Sequence, residues 1–340
     1  MAASAAEVEA AERWFVDHGL PYFVDGYRAS VARGLTRARL VPITAAAVVL
    51  AAAVGAVGAP LLGAAASLGA ALTTIGLVLS VYAVATLRAW LIVVWALRRT
   101  FGSLGLLLPL VTRALPLLLL FITFLFINTE VWQVAAALDS GVLWIAVLLF
   151  AAVAVGFLLT RLPEELDRVD DQVEAEQLVE ACAGTPFEPT SRAIADRVDR
   201  VGGVHAEVTG LQRANLVLVL LVTQFVQVLL LAVAVWAFFL LFGVVAMDPA
   251  VLELWLTHPL TAVRGPVGDL FGTRLSLELL RVATFLAAFS GLYFTVYAVT
   301  DDLYRRQFFS TVTRELERAV SARVAYREMR RDDSPTIEED

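Results

Sequence analysis

The sequence predicts an all-α fold, a polytopic helical membrane protein with about six transmembrane helices, and three observations support this class. Hydrophobic residues make up 59% of the 340 residues and charged residues only 17%, whereas about a quarter of a soluble globular chain is charged. Apolar stretches recur that approach the roughly 20 residues a helix needs to cross the hydrocarbon core. The 26 basic residues, all of them arginine, flank those stretches unevenly, as the positive-inside rule describes.

Six apolar stretches are long enough to be spanning helices. They cover residues 41–57, 61–87, 114–132, 141–160, 216–247 and 275–299. We place the break between the first two at Gly58-Ala59-Pro60. Residues 89–112 are also apolar, but Arg98 and Arg99 lie in their middle, and a central arginine is costly in hydrocarbon. We therefore interpret 89–112 as an interfacial or partly re-entrant segment.

The arginines also orient the predicted bundle. With six spans, every arginine except Arg264, Arg274 and Arg281 belongs to the termini or to loops on one side. Because arginine accumulates on the cytoplasmic side of membrane proteins, we expect a cell-membrane protein with both termini in the cytoplasm. The first forty residues are polar and lack the basic start and immediate apolar stretch of a signal peptide. Cys182, the single cysteine, falls on the cytoplasmic side, where a thiol stays reduced.

Polar segments divide the chain into membrane and cytoplasmic parts. The predicted order is an N-terminal amphipathic, interfacial segment (1–40), four spans (41–160), a cytoplasmic helical hairpin (161–213), two spans (214–299) with an outer loop (248–274), a cytoplasmic amphipathic helix (300–331) and an acidic disordered tail (332–340). The amphipathic helix carries an apolar stripe of Phe309, Val312, Leu316 and Val320. Such a stripe has to pack on the hairpin, on a neighbouring subunit or on the membrane surface.

Five polar residues inside the predicted spans are candidate pore or solute-lining residues. Gln224 lies near the bilayer centre, and Gln227 follows on the same helix face. Ser290, Tyr293 and Tyr297 share one face of the sixth span, at i, i+3 and i+7. Polar side chains in hydrocarbon face other helices or a wet cavity. They either line a path for a solute or ion, or form interhelical hydrogen bonds and, for the tyrosines, an interfacial anchor.

Glu278 and Arg281 form a candidate ion pair at the outer end of the sixth span. They lie one helical turn apart, within reach of each other. A structural pair whose arginine reaches towards the interface is one interpretation, and an outer gate is the other.

The second span carries small residues at helical spacing, which predicts a close helix-packing seam. This small-residue stripe consists of Ala65, Gly69, Thr73, Gly76 and Ser80. Enlarging Gly69 or Gly76 to leucine is expected to disturb assembly.

The sequence carries no motif of an enzyme, a metal site or a cofactor site. His18, His205 and His258 fall in three separate segments, which makes a three-histidine metal site implausible. No glycine-rich phosphate loop, nucleophile elbow or zinc-protease helix appears, so we predict no catalytic residue and no cofactor.

The net charge of −7 is spread over both sides of the predicted membrane and does not favour nucleic-acid binding. No carboxylate lies near the middle of a predicted span, which disfavours a proton-coupled pump.

Two blocks carry a resemblance to a known group of proteins. The first runs from Glu12-Arg13-Trp14-Phe15 to Gly19-Leu20-Pro21-Tyr22-Phe23, and the second is Thr300-Asp301-Asp302-Leu303-Tyr304-Arg305-Arg306 with Phe308-Phe309. With the overall pattern of spans, they resemble multi-pass integral membrane proteins of actinobacteria whose biochemical role is unknown. The resemblance implies a polytopic helical fold, and it transfers no functional residue.

Two functions fit these features. The first is a passive channel or facilitator for a small solute or ion, because the candidate lining is polar and lacks a coupling carboxylate. The second is a non-transporting scaffold or signalling protein that acts through its cytoplasmic helices. The expected partners are the lipid bilayer, further copies of the chain in a homo-oligomer and a cytoplasmic protein. A wet path bordered by Gln224 and Tyr293 favours conduction, and a dry, filled interior favours scaffolding.

Overall fold

The predicted fold class is confirmed by the computed structural model of the protein, which describes residues 4–86, 88–102, 120–170, 175–198, 208–300 and 302–332. These residues are mostly helical, and the β structure among them is an isolated antiparallel bridge between Ala262 and Ser276. The protein is an all-α polytopic helical protein.

The helices are numbered here in chain order. They are α1 (Ala5–Asp17), α2 (Asp25–Gly34), α3 (Arg37–Leu62), α4 (Ala64–Thr86), α5 (Ala89–Gly102), α6 (Leu120–Phe126), α7 (Thr129–Ala137), α8 (Ser140–Asp170), α9 (Ala175–Cys182), α10 (Glu188–Val198), α11 (Gly210–Ala246), α12 (Pro249–Leu256), α13 (Pro266–Phe271), α14 (Leu277–Thr300) and α15 (Asp302–Asp332). Short 3-10 turns cover Pro21–Phe23 and Gly272–Arg274.

Within the described ranges, five helices are long and apolar enough to cross a membrane. These stretches are Arg37–Pro60 of α3, Ser67–Thr86 of α4, Gly141–Pro163 of α8, Gly210–Ala246 of α11 and Leu277–Ala298 of α14. They correspond to five of the six predicted spans. The helices are compatible with a membrane location and suggest a membrane protein.

The third predicted span, 114–132, is bent in its described part. Helices α6 and α7 meet at 71°, as a broken span or a re-entrant loop would. Asn128 stands at the bend with an extended backbone, and its side chain accepts the N–H groups of Glu130 and Val131 at 2.8 and 3.2 Å. Asparagine is a preferred N-cap, so it starts a new helix here instead of continuing α6. Residues 103–119, which include most of the second half of the interfacial segment, lie outside the described part.

The first two spans separate later than the sequence analysis placed the break. Helix α3 continues through Pro60 to Leu62, and the chain turns at Gly63, whose φ of +83° suits glycine. The two helices approach each other where a Cβ added at Gly58 would lie 3.3 Å from Ser67. A Cβ added at Gly69 or Gly76, by contrast, would meet no atom of the described chain within 4 Å. The face of α4 that packs on α3 is therefore not the one that carries these two glycines.

Helices α8, α11 and α14 form the centre of the bundle, where α14 packs on both of the others. Phe150 of α8 lies against Phe285 and Phe289 of α14, with ring centroids 5.6 and 5.9 Å apart. Helices α11 and α14 approach so closely that a Cβ added at Gly243 would overlap the side chain of Leu279. The contact surface between α11 and α14 is therefore closely packed by apolar groups.

Five further helices assemble at the end of the bundle where α8 ends and α11 begins. We call α1, α2, α9, α10 and α15 together the helical cap. Its core is a cluster of buried rings, in which Phe15 lies 5.3 Å from Phe23, 5.1 Å from Phe187 and 5.4 Å from Tyr326, measured between centroids. Aromatic rings at these distances stabilise a core beyond the area they bury.

Helices α9 and α10 lie within the stretch 161–213, for which a helical hairpin is predicted. Helix α8 runs on as one helix past Pro163 to Asp170, and the hairpin itself consists of α9 and α10, which pack on each other and on α15. Residues 171–174 and 199–207, which include the pair Gly202-Gly203, lie outside the described part. Of the apolar stripe on the last helix, Leu316 and Val320 are buried in the cap, while the side chains of Phe309 and Val312 are not among those described.

Candidate functional site

Gln224 and Gln227 lie on one face of α11, inside the bundle. The side chain of Gln224 is fully buried, and that of Gln227 is half-buried. The Oε1 atom of Gln227 is shielded from solvent and accepts no hydrogen bond from any residue the structure describes. The neighbouring Thr223 donates its hydroxyl to the carbonyl of Val219 in its own helix, at 2.8 Å. Gln227 therefore carries a shielded acceptor that no donor among the described residues reaches.

Ser290, Tyr293 and Tyr297 lie on α14 in different surroundings. Ser290 is buried and donates its hydroxyl to the carbonyl of Leu286 in the same helix, at 2.6 Å. Tyr293 is 40% exposed, and its ring stacks on Phe121 of α6 at 5.4 Å and on Tyr297 at 6.3 Å. Tyr293 and Tyr297 thus form an outward stack on the bundle, whereas Gln224 and Ser290 point into it.

Glu278 and Arg281 are brought near each other on α14, but each binds a different backbone group. Glu278 accepts the N–H of Thr261 through Oε2 at 3.1 Å, and Arg281 donates from Nη1 to the carbonyl of Ala136 at 2.7 Å. No salt bridge joins these two described side chains. Ala136 lies in the last turn of α7, where carbonyls lack intrahelical partners and carry partial negative charge. The predicted ion pair is replaced by two contacts that hold the outer loop and α7 to α14.

Asn215 fastens the N-terminal segment to the bundle, a role that the sequence did not indicate. Its side chain is fully buried in the second turn of α11. The Oδ1 atom accepts the N–H of Tyr22 at 2.8 Å, and Nδ2 donates to the carbonyl of Gly19 at 2.9 Å. Gly19 has a φ of +73°, and a Cβ added there would lie 3.0 Å from the Trp95 ring of α5. The turn at Gly19 is therefore held between α5 and α11.

His18 lies at the same junction and is adjacent to Trp14. Its ring stacks on the Trp14 ring at 4.0 Å, and Nδ1 donates to the carbonyl of Trp14 at 2.7 Å. Burial lowers the pKa of His18, the bond to Trp14 opposes this shift, and Arg318 adds to it. His18 is consequently held in its neutral form more firmly than an exposed histidine.

Cys182 ends α9 inside the cap. Its side chain is fully buried, and burial raises the pKa of its thiol to about 11, against the opposite effect of a hydrogen bond with Ser191. Because the thiolate is the reactive form, Cys182 is a structural thiol in this protein.

An arginine-lined cavity of about 1000 Å³ opens between α2, the first turn of α11 and the last three turns of α15. Its polar lining residues are Asp25, Arg28, Thr209, Gln212, Arg323, Tyr326, Arg327, Arg330 and Arg331. Tyr326 donates its hydroxyl to Glu12 of α1 at 2.7 Å, and Arg323 donates to Gln212 of α11 at 2.7 Å. These bonds hold two of the three walls of the cavity in fixed positions.

In the sequence, the arginines of α15 served only to orient the chain. Their spacing held a signal for a site, because positions 323, 327, 330 and 331 share one face of a helix. Arg28, on the opposite wall, is brought there by the fold alone.

Among known proteins, no family model matches the chain, and no curated protein or solved structure shows significant similarity to it.

Proposed function

We propose that the protein is a non-conducting membrane protein that acts through its helical cap. This is the scaffold or signalling function considered above, and the observation that carries it is the closely packed contact between α11 and α14. The same packing counts against a conduit through the bundle.

The polar groups of α11 and α14 are largely engaged within their own helices. The hydroxyls of Thr223, Ser290 and Thr295 all donate to carbonyls four residues earlier, at 2.8, 2.6 and 2.8 Å. A hydroxyl bound in this way has already used its single donor within its own helix. Between the helices, Leu279 fills the space at Gly243, and Val228 lies 3.4 Å from a Cβ added at Gly291.

The cap, in contrast, is tied to α5 and to the spanning helix α11 by polar contacts. Arg99 of α5 pairs with Glu315 of α15 at 2.6 Å, and Arg323 reaches Gln212 of α11. On the outside of the cap, Arg197 of α10 pairs with Glu328 of α15 at 2.8 Å. A ligand or partner that binds the cap would therefore act on elements that contact the bundle directly.

A passive channel or facilitator is the second candidate, and Gln227 is the observation that favours it. An acceptor shielded from solvent without a partner is costly, and a permeating solute or an ordered water would satisfy it. Under this alternative Gln227 is the residue that contacts the permeant.

The location proposed for the protein is the cell membrane, with the cap in the cytoplasm. The support is the distribution of the arginines. The arginines of α15 and α10 all belong to the cap, and only Arg264, Arg274 and Arg281 lie around the outer loop.

We also propose a homo-oligomer, in which the side of α4 that carries Gly69 and Gly76 faces a second copy. Small residues on a free side of a spanning helix allow such close approach.

A flux assay tests the proposed function. Purified full-length protein is reconstituted in liposomes, and the passage of potassium, chloride and glycerol is followed against empty liposomes. We expect no flux above that of the empty liposomes. Flux that appears with the protein and disappears with Gln227→Leu would replace the proposal with the channel alternative.

A further inference from the structure

The arginine-lined cavity holds an excess of positive charge. Five guanidinium groups line it, and the carboxylate among its lining residues, Asp25, is bonded to Arg28 and, at 3.2 Å, to Arg330. A guanidinium group carries a permanent positive charge. Like charges around one cavity repel each other, and an anion placed between them would remove that repulsion.

The geometry of the guanidinium groups suits a phosphate group. Arg323, Arg327, Arg330 and Arg331 follow one another at i, i+4, i+7 and i+8 on α15, which places them on one face of the helix. Arg28 stands on α2, across the cavity. Guanidinium groups are planar and bind phosphate oxygens with two parallel hydrogen bonds. Guanidinium groups from two walls, α2 and α15, therefore belong to one lining.

The first turn of α11 adds backbone donors to the same cavity. Helix α11 is 37 residues long, and Thr209, Gly210, Leu211 and Gln212 at its start belong to the lining. The side chain of Thr209 makes no capping hydrogen bond. First-turn N–H groups have no intrahelical partner, and the partial positive charge at a helix start attracts anions. The partial positive charge of the helix start therefore adds to the positive potential that the arginines create in the cavity.

The rest of the lining is apolar, and the cavity is larger than a phosphate ion. Phe23, Ala29, Ala32 and Leu211 form the apolar part of a volume of about 1000 Å³, which lies at the upper end of ordinary small-ligand pockets. A ligand that fits such a lining carries a phosphate group on an organic body.

We propose that this cavity binds a phosphate-bearing ligand, with Arg327 and Arg331 among its exposed contacts; Arg331 also lies 4.0 Å from Glu328. The phosphate belongs either to the headgroup of an anionic lipid or to a soluble compound, since both present the same chemistry. The inference deepens the proposed function, because it names a ligand class for the cap, but it does not depend on whether the bundle conducts. A positive flux assay would therefore leave it standing, and a failed binding assay would leave the flux result unchanged.

Two binding titrations test the proposal on the full-length protein in nanodiscs of phosphatidylcholine. In one arm sodium pyrophosphate is titrated against sodium chloride of matched ionic strength, by isothermal calorimetry. In the other, dihexanoyl phosphatidic acid is titrated against dihexanoyl phosphatidylcholine. Saturable binding in the pyrophosphate arm identifies a soluble phosphate as sufficient, and binding of phosphatidic acid alone identifies a lipid headgroup. Saturable binding in neither arm would overturn the proposal.

A matched pair of variants separates the cavity from general charge attraction. Arg327→Gln with Arg331→Gln removes two charges from the lining, and Arg314→Gln removes an exposed arginine from the same helix, about 20 Å away along its axis. We expect the double variant to bind about tenfold more weakly or worse and Arg314→Gln to bind like the unmodified protein. Equal unfolding temperatures without ligand show that the variants fold. Equal affinities for all three proteins, or an equal loss in both variants, would overturn the proposal.

Discussion

The side chain of Asn215 accepts the backbone N–H of Tyr22 at 2.8 Å, across 193 positions of the sequence. With the second bond, from Asn215 to the carbonyl of Gly19, a single amide satisfies one donor and one acceptor of a buried turn. Because neither backbone group belongs to a regular helix bond at this point, the turn depends on this side chain. The contact joins the N-terminal part of the cap to the first turns of α11.

Replacing Asn215 is therefore expected to loosen the N-terminal segment. Asn215→Leu leaves the N–H of Tyr22 and the carbonyl of Gly19 buried without partners, at a cost of about 1–3 kcal/mol for each group. We expect a lower unfolding temperature and faster proteolysis near residue 20. Ala214→Leu, at an exposed position of the same turn, serves as the control. If both variants are cleaved at the rate of the unmodified protein, Asn215 does not hold the turn.

Gly19 is expected to tolerate no side chain. A left-handed backbone costs a residue with a Cβ roughly 1–2 kcal/mol, and at Gly19 the Cβ would also press on the Trp95 ring. Gly19→Ala should thus lower the unfolding temperature.

The matched control for Gly19→Ala is Gly26→Ala. Gly26 lies in α2, and a Cβ added there meets no described atom within 4 Å. Alanine favours a helix over glycine by up to about 1 kcal/mol, so this variant should unfold at an unchanged or higher temperature. A Gly19→Ala protein as stable as Gly26→Ala would show that the turn has another geometry.

His18 is expected to make the stability of the cap depend on pH. Because the pKa of His18 is lowered in the folded protein, the unfolded chain binds the proton more readily. The contribution of His18 is then fully present above its ordinary pKa of about 6.5 and is lost as the pH falls through the lower folded value. His18→Phe keeps a ring beside Trp14 but does not titrate.

The measurement is the unfolding temperature between pH 7.5 and pH 5 for the two proteins. We expect the unmodified protein to lose more stability on acidification than His18→Phe, since all other titrating groups are common to both. If the unfolding temperatures of both proteins fall equally with pH, protonation of His18 does not destabilise the folded protein.

Cys182 is expected to resist alkylation in the native protein. The thiol is fully buried and its pKa is raised to about 11, so at pH 7.5 both access and ionisation are unfavourable. Iodoacetamide should modify it only after denaturation. Ala183→Cys in a Cys182→Ser background gives an exposed thiol one residue away as the reactive control. Native modification of Cys182 at the control rate would contradict its burial.

Composition and hydropathy predict the class of the fold and five of its long helices, because a helix in lipid is determined by its own residues. The bend at Asn128 was missed because one N-capping side chain outweighs the apolar residues on both sides of it. The break at Gly63 was placed too early because Pro60 was expected to end the helix. In the structure α3 includes Pro60 and ends two residues later, at Leu62.

The parts of the site that depend on distant residues could not be predicted. Arg28 and Arg327 line one cavity although almost 300 positions separate them, and no periodicity of either helix indicates that they meet. Glu278 and Arg281 have a spacing typical of an ion pair, but in the fold they form hydrogen bonds with backbone groups of Thr261 and Ala136 instead. Local spacing indicates which residues can meet within a helix, and the tertiary fold decides which of them do.

The most direct test of a non-conducting bundle is whether water reaches Gln227. Gln227→Cys in a Cys182→Ser background, reconstituted in liposomes, is treated with a charged methanethiosulfonate reagent, which reacts with thiolates in water. The account predicts no reaction at Gln227→Cys from either side of the membrane, while Ala183→Cys reacts. Rapid reaction at Gln227→Cys would show a wet path at the centre of α11 and contradict the account.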